Sequence, residues 1–216
     1  MDTAFARRQM VRQQVRTADV FDDDTLDLLS ELRRDEFVPE GYAELAYADT
    51  QIPLPHGQVM MTPIVEGRLL QALRLTASDR VLEIGTGYGF LTACLAKLAD
   101  SVVSIDIFDD LSSAAAGNLE DSGVGNAELL VMDAMTELPE GPFDAVAVTG
   151  SVAELDGRFS DLLSAGGRLF VIVGEAPVMQ ARLITRQAEG SLSTEVLFET
   201  SIRPLVHGER DSGFTF

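Results

Sequence analysis

A run of alternating glycines after a short apolar strand is the part of this chain with the clearest chemical meaning. Residues 81–90 read Val-Leu-Glu-Ile-Gly-Thr-Gly-Tyr-Gly-Phe, so Gly85, Gly87 and Gly89 lie between a strand and a helix-forming run, with Glu83 just upstream. Glycine lets a ligand approach backbone that a side chain would shield. A dinucleotide site reads Gly-x-Gly-x-x-Gly and seats a pyrophosphate on the helix N-terminus. The pattern here favours instead a ligand with an adenosine, no phosphate, a cationic centre and an amino group.

Two further acids follow the next two predicted strands. Asp106 lies 21 residues beyond Gly85, close to the offset at which an acid at the tip of the second strand binds the ribose hydroxyls. A carboxylate can accept from both hydroxyls at once. Asp133, followed by Ala134, comes after the third strand, where an acid is expected to meet the adenine amino group. A lone Asp after a strand is often only a turn residue, so this interpretation depends on the order of all three features.

The glycine loop resembles the S-adenosylmethionine (SAM) loop of class I methyltransferases. A glycine-rich turn without a ligand is the alternative, which the strand–loop–helix context disfavours. The resemblance implies SAM as cofactor, S-adenosyl-L-homocysteine as product, and these cofactor-binding residues: Glu83, Gly85, Thr86, Gly87, Asp106, Asp133 and Ala134.

Composition restricts the class of protein. The 216 residues, 46% of them hydrophobic, allow one domain with a sizeable core. The resemblance to methyltransferases implies a single methyltransferase domain, with an N-terminal helical and substrate-loop extension (1–75) and a SAM-binding α/β core (76–216). A net charge of −19 repels phosphate backbones, which disfavours nucleic acid as a partner. No run is long enough to span a membrane and no signal core is present, so we expect no membrane partner and a cytoplasmic location. Cys94 is predicted to lie in the core, and with two histidines no Cys/His metal site is expected.

Strands and helical patterns alternate from residue 80 onward. This order predicts an α/β fold, a Rossmann-like doubly wound and mostly parallel seven-stranded sheet with helices on both faces and a ligand at the carboxyl ends of the strands. Segments 181–186 and 195–202 are joined by a turn too short for a helix, which predicts an antiparallel C-terminal hairpin at the sheet edge. The other predicted strands cover residues 80–84, 102–107, 128–131, 143–149 and 168–173.

The N-terminal extension is predicted to be helical and then irregular. An amphipathic helix over about 4–17 precedes a second helix, which begins at the acids 22–24 and runs to Arg34. Residues 37–63 lack periodicity, and so long a stretch within a compact domain indicates a functional loop. A helix over 64–73 then leads to the first strand of the core.

A basic stripe is the one departure from the acidic composition. Arg8, Arg12 and Arg16 recur at four-residue spacing along one face of the first helix. The pattern is typical of a solvated or ion-paired face, and it could also meet an acidic surface on this chain or on a second copy.

Matches to one family extend along nearly the whole chain. They cover residues 10–16, 34–39, 46–49, 52–54, 56–58, 83–87, 143–144, 166–169 and 203–205. On these segments the chain resembles the protein L-isoaspartyl (D-aspartyl) O-methyltransferase family. The glycine loop alone points only to SAM enzymes, and the N-terminal segments make the resemblance specific. The resemblance implies methylation of the carboxylate of isoaspartyl groups in damaged proteins, with such proteins or peptides as partners.

The acceptor side departs from the family pattern. The family loop usually reads Thr-Ile-Ser-Gln-Pro, and its serine hydroxyl lies by the reacting carboxylate. Residues 59–63 here read Val-Met-Met-Thr-Pro, so Met61 replaces the serine and Thr62 the glutamine. Tyr88 also replaces a usual serine, and residues 149–156 lack the proline-bearing character of the family.

Methyl transfer to a carboxylate requires alignment more than acid–base chemistry. The acceptor, with a pKa near 4, is already ionised at neutral pH, so no general base is needed. We predict Thr62, which offers a neighbouring hydroxyl, and Asp49, a match to a family substrate-loop residue, as the catalytic residues; a structural role for Asp49 is equally open. A loop histidine such as His56 is more often structural or solvated. Arg68 could attract a substrate carboxylate or pair with Glu66 or Asp49.

Three functions remain open from the sequence. The favoured one is a SAM-dependent methyltransferase acting on isoaspartyl carboxylates. The second is a SAM enzyme on the same scaffold with another acceptor, such as a small-molecule acid, which Met61 favours. The third is a non-catalytic SAM-binding module, which Glu83 and Asp106 disfavour. The oligomeric state and the order of the edge strands are not predicted.

Overall fold

One seven-stranded sheet organises the fold, seen in a computed structural model that describes residues 2–209. Its strands are β3 (Arg80–Ile84), β4 (Ser101–Asp106), β5 (Ala127–Val131), β6 (Phe143–Val152), β7 (Leu163–Glu175), β8 (Val178–Arg186) and β9 (Leu192–Thr200), and a separate two-stranded hairpin precedes them, β1 (Ile52–Pro53) with β2 (Val59–Met60). The sheet order is β5-β4-β3-β6-β7-β8-β9; β3 to β7 are parallel, and β8 and β9 are antiparallel. The predicted mostly parallel sheet is confirmed, and its edges are β5 and β9.

Helices cover both faces of the sheet, as predicted. Successive strand side chains point to opposite faces: Val81 of β3 joins the apolar cluster of the extension, whereas Leu82 joins the cluster that contains Phe159. The second face is covered mainly by a five-residue helix and by loops. The helices are α1 (Thr3–Gln9), α2 (Asp23–Glu31), α3 (Pro63–Leu73), α4 (Phe90–Leu98), α5 (Asp109–Asp121) and α6 (Gly157–Asp161).

The C-terminal strands form the predicted antiparallel edge. Only Ala176 and Pro177 separate β7 from β8, and a parallel return would need a long crossover. Some predicted strand ends were wrong: β6 continues to Val152 and β7 begins at Leu163, because strand pairing extends beyond the most apolar residues.

The first helix differs from the prediction in its geometry. Within the predicted helix, only the part named α1 is α-helical. The chain continues as a π-helix over Met10–Val15 and a 3-10 turn over Arg16–Ala18. Within this segment Met10, Val11 and Val15 are buried. The predicted basic stripe is exposed, and it has no ion pair within the described part of the chain.

The second helix begins as predicted and ends earlier. Asp22 accepts a hydrogen bond from the Thr25 backbone N–H, which caps α2. The helix ends at Glu31 rather than Arg34, because Leu32 is extended and Arg34 turns into the interior. Residues 37–63 form short 3-10 turns and the β1–β2 hairpin, so the predicted irregular loop is confirmed. Across residues 2–209, no helix combines the length and apolarity needed to span a bilayer.

Candidate active site

The glycine loop between β3 and α4 is fixed by a hydroxyl from β6. Thr149 Oγ1 lies 2.9 Å from the carbonyl oxygens of both Ile84 and Gly85, and the Gly85 N–H donates to the Ile105 carbonyl at 2.8 Å. Gly85 has φ +99°, and a Cβ there would lie 2.1 Å from Thr149 Oγ1. Only glycine fits, because both the backbone conformation and the available space exclude a side chain.

Asp106, at the end of β4, is held by two backbone donors. The Gly87 N–H donates to its Oδ2 at 2.9 Å and the Phe108 N–H to its Oδ1 at 3.0 Å. Burial raises the pKa of Asp106, although these hydrogen bonds act in the opposite direction. Each carboxylate oxygen retains a free lone pair, so the group can still accept from two hydroxyls.

Glu83 lies inside the protein with one oxygen unsatisfied. Its Oε2 accepts from Thr92 Oγ1 at 2.5 Å and Ser104 Oγ at 2.6 Å, and Ser104 also contacts the Thr86 hydroxyl. Its Oε1 is buried and has no hydrogen-bond partner in the described chain. Burial raises the pKa of Glu83 to about 8. A buried carboxyl of this kind suits a cationic ligand, which would favour its ionised form.

Asp133 lies just after β5, beside a histidine for which no role was predicted. The Met135 N–H donates to Asp133 Oδ1 at 2.9 Å, and His207 Nδ1 lies 2.8 Å from Oδ2. Ala134 is buried next to it. His207 is 74 residues away in the chain and outside any motif, so only the fold brings the two together.

All seven predicted cofactor residues converge on two adjoining cavities at the carboxyl ends of the parallel strands, where ligands bind in folds of this type. Gly85 and Gly87 line both cavities. The first cavity also contains Asp106, Asp133 and Ala134. Its lining further includes five residues that were not predicted to bind the cofactor: Leu54, Gln58, Phe108, Arg203 and Leu205. The second cavity contains Glu83 and Thr86, together with Met61, Glu66 and Tyr88.

A buried ion pair fixes the loops on the acceptor side. Arg34 Nε lies 3.0 Å from Glu66 Oε2, and both side chains are almost fully buried. The other guanidinium nitrogens of Arg34 donate to the carbonyls of Ala46 at 2.7 Å and Met61 at 2.6 Å. One side chain therefore connects α3 with the 46–49 and 59–63 loops. Of the two roles left open for Arg68, pairing with Glu66 does not occur, because Glu66 is paired with Arg34.

Both predicted catalytic residues line a third cavity, which also contains Met61 of the 59–63 loop. Asp49 is exposed, and Thr62 caps α3 through a long hydrogen bond from the Val65 N–H to its Oγ1, 3.4 Å. Arg68 lines the same cavity but pairs with neither predicted partner: it donates to the Leu197 carbonyl at 3.3 Å and lies 4.0 Å above the Phe198 ring. Met61 borders both this cavity and the one that contains Glu83.

His56 is tied to the cofactor side of the site. Its ring stacks on Phe108 with centroids 4.0 Å apart, and its Nε2 lies 2.8 Å and 2.9 Å from the two carboxylate oxygens of Asp110. The hydrogen bond from His56 lowers the pKa of Asp110. These contacts agree with the structural role predicted for His56.

Comparison with known proteins identifies the family. The family model described as Protein-L-isoaspartate(D-aspartate) O-methyltransferase matches residues 6–210. The chain belongs to this family. A protein-L-isoaspartate O-methyltransferase of Opitutus terrae is 38% identical over 84% of this chain and 78% of its own length, and one of Pelobacter propionicus is 33% identical over 95% and 92%.

The solved structures agree in fold. A protein-L-isoaspartate O-methyltransferase from Plasmodium falciparum, in complex with S-adenosyl-L-homocysteine, has a TM-score of 0.78 and 22% identity, and the match covers 92% of this chain and 97% of that one. As a protein-L-isoaspartate O-methyltransferase family member, the chain is a SAM-dependent enzyme.

The residues present fit SAM. The unsatisfied Glu83 Oε1 suits the cationic part of SAM, and the free lone pairs of Asp106 suit ribose hydroxyls. Gly87 is half-buried and lines both cavities, and a Cβ there would lie 3.2 Å from Leu54 Cδ1.

Proposed function

We propose that the chain methylates the carboxylate of L-isoaspartyl and D-aspartyl residues in damaged proteins, as a protein-repair enzyme. The observation that carries this proposal is the position of Met61, which separates the Glu83 cavity from the cavity of Asp49 and Thr62. A cofactor site and an acceptor site thus adjoin across one side chain, in a chain whose relatives carry the isoaspartate name.

On the cofactor side, we assign ribose binding to Asp106, the adenine amino group to Asp133 with Ala134, and the cationic amino acid end to Glu83. Gly85 and Gly87 offer unshielded backbone. The Thr86 hydroxyl is engaged by Ser104, which leaves the Thr86 backbone for the ligand. When bound, SAM supplies a methyl group on a positively charged sulfur.

On the acceptor side, the residues align the substrate carboxylate and exclude water. The long capping bond of Thr62 leaves its hydroxyl able to donate to one carboxylate oxygen while the other attacks the methyl carbon. Asp49, at the exposed mouth, is positioned to accept hydrogen bonds from the substrate backbone. No side chain has to remove a proton, since the acceptor is already ionised.

A second function has one observation in its favour. Met61 is buried and places a thioether where the family has a hydroxyl, so the cavity suits an acceptor that needs no hydrogen bond there, such as a small-molecule acid.

We also propose a single domain, because the N-terminal extension and the sheet share one apolar cluster. A reducing cytoplasmic location is supported by the lone, buried Cys94.

The test is methyl transfer from labelled SAM to two peptides that differ only in an isoaspartyl or an aspartyl linkage. We expect label on the isoaspartyl peptide alone, in an alkali-labile methyl ester. SAM binding without transfer to either peptide, accompanied by transfer to small carboxylic acids, would favour the second function.

A further inference from the structure

Arg203 lies on a hydrogen-bonded segment at the carboxyl ends of the parallel strands, where the ligand cavities open. The Ser151 N–H donates to the Arg203 carbonyl at 3.0 Å, and the Leu205 N–H donates to the Ser151 carbonyl at 2.9 Å. Residues 203–205 therefore run beside the carboxyl end of β6. The close packing depends on Gly150, because a Cβ there would lie 2.7 Å from Leu205 Cδ2.

The Arg203 side chain, in contrast to its backbone, is exposed and unpaired. Within residues 2–209 it makes no ion pair and no side-chain hydrogen bond. It borders the cofactor cavity, and it also borders the adjoining cleft that contains Gln51 and Ser201. Among the described lysines and arginines, no other lines the cofactor cavity. An unpaired cation at this position, in a chain of net charge −19, is suited to an anionic ligand group.

An anionic group bound by Arg203 is more consistent with the methyl acceptor than with the cofactor SAM. The amino acid end of SAM is assigned to the cavity of Glu83, and Arg203 does not line that cavity. On the acceptor side the other nearby cation, Arg68, is occupied by the Leu197 carbonyl and the Phe198 ring. Met61 offers no hydrogen bond in place of the family serine. Arg203 does not itself line the cavity of Asp49 and Thr62, but it shares its cleft with Gln51, Ser201 and Ile202, which do line that cavity. Arg203 is thus an unpaired cation beside the acceptor cavity.

We propose that Arg203 binds and orients the acceptor carboxylate, an inference that rests on the proposed function. The guanidinium donates to one carboxylate oxygen and leaves the other free to attack. This charge-assisted hydrogen bond supplies the alignment that Met61 lacks, and it makes the site selective for anionic acceptors.

The test compares Arg203→Gln, Arg203→Lys and the wild type by steady-state kinetics on an isoaspartyl peptide and by calorimetric titration with SAM. We expect Arg203→Gln to lower kcat/KM about ten- to a hundredfold, mainly through KM, because a hydrogen bond to a charged group is lost. SAM affinity should be unchanged, and Arg203→Lys should recover part of the loss. Arg8→Gln, an exposed cation on α1, is the matched control and should match the wild type.

Two results would overturn the role of Arg203: unchanged peptide kinetics in Arg203→Gln, or a loss confined to SAM affinity. Failure of the proposed function looks different, since the wild type itself would then bind SAM and leave the isoaspartyl peptide unmethylated. The inference would fall with it. Matching thermal unfolding of the variants and the wild type confirms that the comparison concerns the site.

Discussion

The cofactor half of the site and its acceptor half are held in place by different kinds of interaction. The cofactor half, residues 80–134, is positioned by parallel strand pairing and by backbone hydrogen bonds to Asp106. The acceptor half, residues 34–68, has little regular structure and is connected through the buried guanidinium of Arg34. The first half keeps the family glycine loop, and the second carries Met61 in place of serine. A site built on strand pairing and backbone hydrogen bonds tolerates few substitutions. Loops that are connected by a single side chain can change the residues that contact a ligand.

Breaking the acceptor half at Arg34 should have the largest effect on stability. Arg34→Leu leaves Glu66 buried without its partner, and we expect a loss of roughly 3–5 kcal/mol in the free energy of unfolding. Chemical denaturation measures it. The matched double variant, Arg34→Leu with Glu66→Leu, should recover much of the loss because no unpaired charge remains; a double variant as unstable as the single one would contradict this account.

Glu83 should make the stability of the folded protein depend on pH. Its pKa is about 8 in the folded protein against an ordinary value of 4.5, so the folded state binds the proton more tightly than the unfolded state. Its contribution to stability is complete below about pH 4.5 and is lost as the pH rises to about 8. Glu83→Gln cannot ionise and should gain stability relative to the wild type over that range, by a few kcal/mol at roughly pH 8. It should also bind SAM more weakly. Denaturation at pH 5 and pH 8 tests the first point, since an equal difference at both values would exclude the linkage.

A substitution at Asp106 tests SAM binding by the cofactor half without disturbing the acceptor loops. Asp106→Ala should weaken SAM binding by about 1–3 kcal/mol, through loss of charge-assisted bonds to the ribose. Asp109→Asn, an exposed acid three residues along, is the control and should leave binding unchanged. Calorimetry that found equal affinity in Asp106→Ala and the wild type would remove the ribose assignment.

Met61→Ser tests whether the acceptor half has lost activity because it lacks a hydroxyl. If Met61 marks a weakened isoaspartyl site, restoring the hydroxyl should raise kcat/KM for an isoaspartyl peptide, by about tenfold for one added hydrogen bond. SAM affinity should change little. If turnover stays equally negligible in the variant and the wild type, the result favours the second function, methylation of another acceptor such as a small-molecule acid.

The sequence predicted the strands, the glycine loop and the helix of the cofactor half because their signals are local. Strand, glycine loop and helix are adjacent in the chain, and the acids Asp106 and Asp133 come at the ends of the next strands. Nothing local predicted that Arg34 would cross the interior to Glu66, that His207 would meet Asp133, or that Arg203 would border the cofactor cavity. The first two contacts join residues 32 and 74 positions apart in the chain. The π-helical turn over Met10–Val15 was also missed, because periodicity shows that a segment is helical and not how wide its turns are.

The dependence of rate on pH tests the central claim most directly, namely that the acceptor is a carboxylate already ionised. At saturating SAM and isoaspartyl peptide, kcat should be nearly flat from about pH 6 to 8, and His56→Ala should retain most of the activity. An amine or phenol acceptor would have to lose a proton. A steep rise over that range, abolished by His56→Ala, would contradict carboxyl methylation and make His56 a general base.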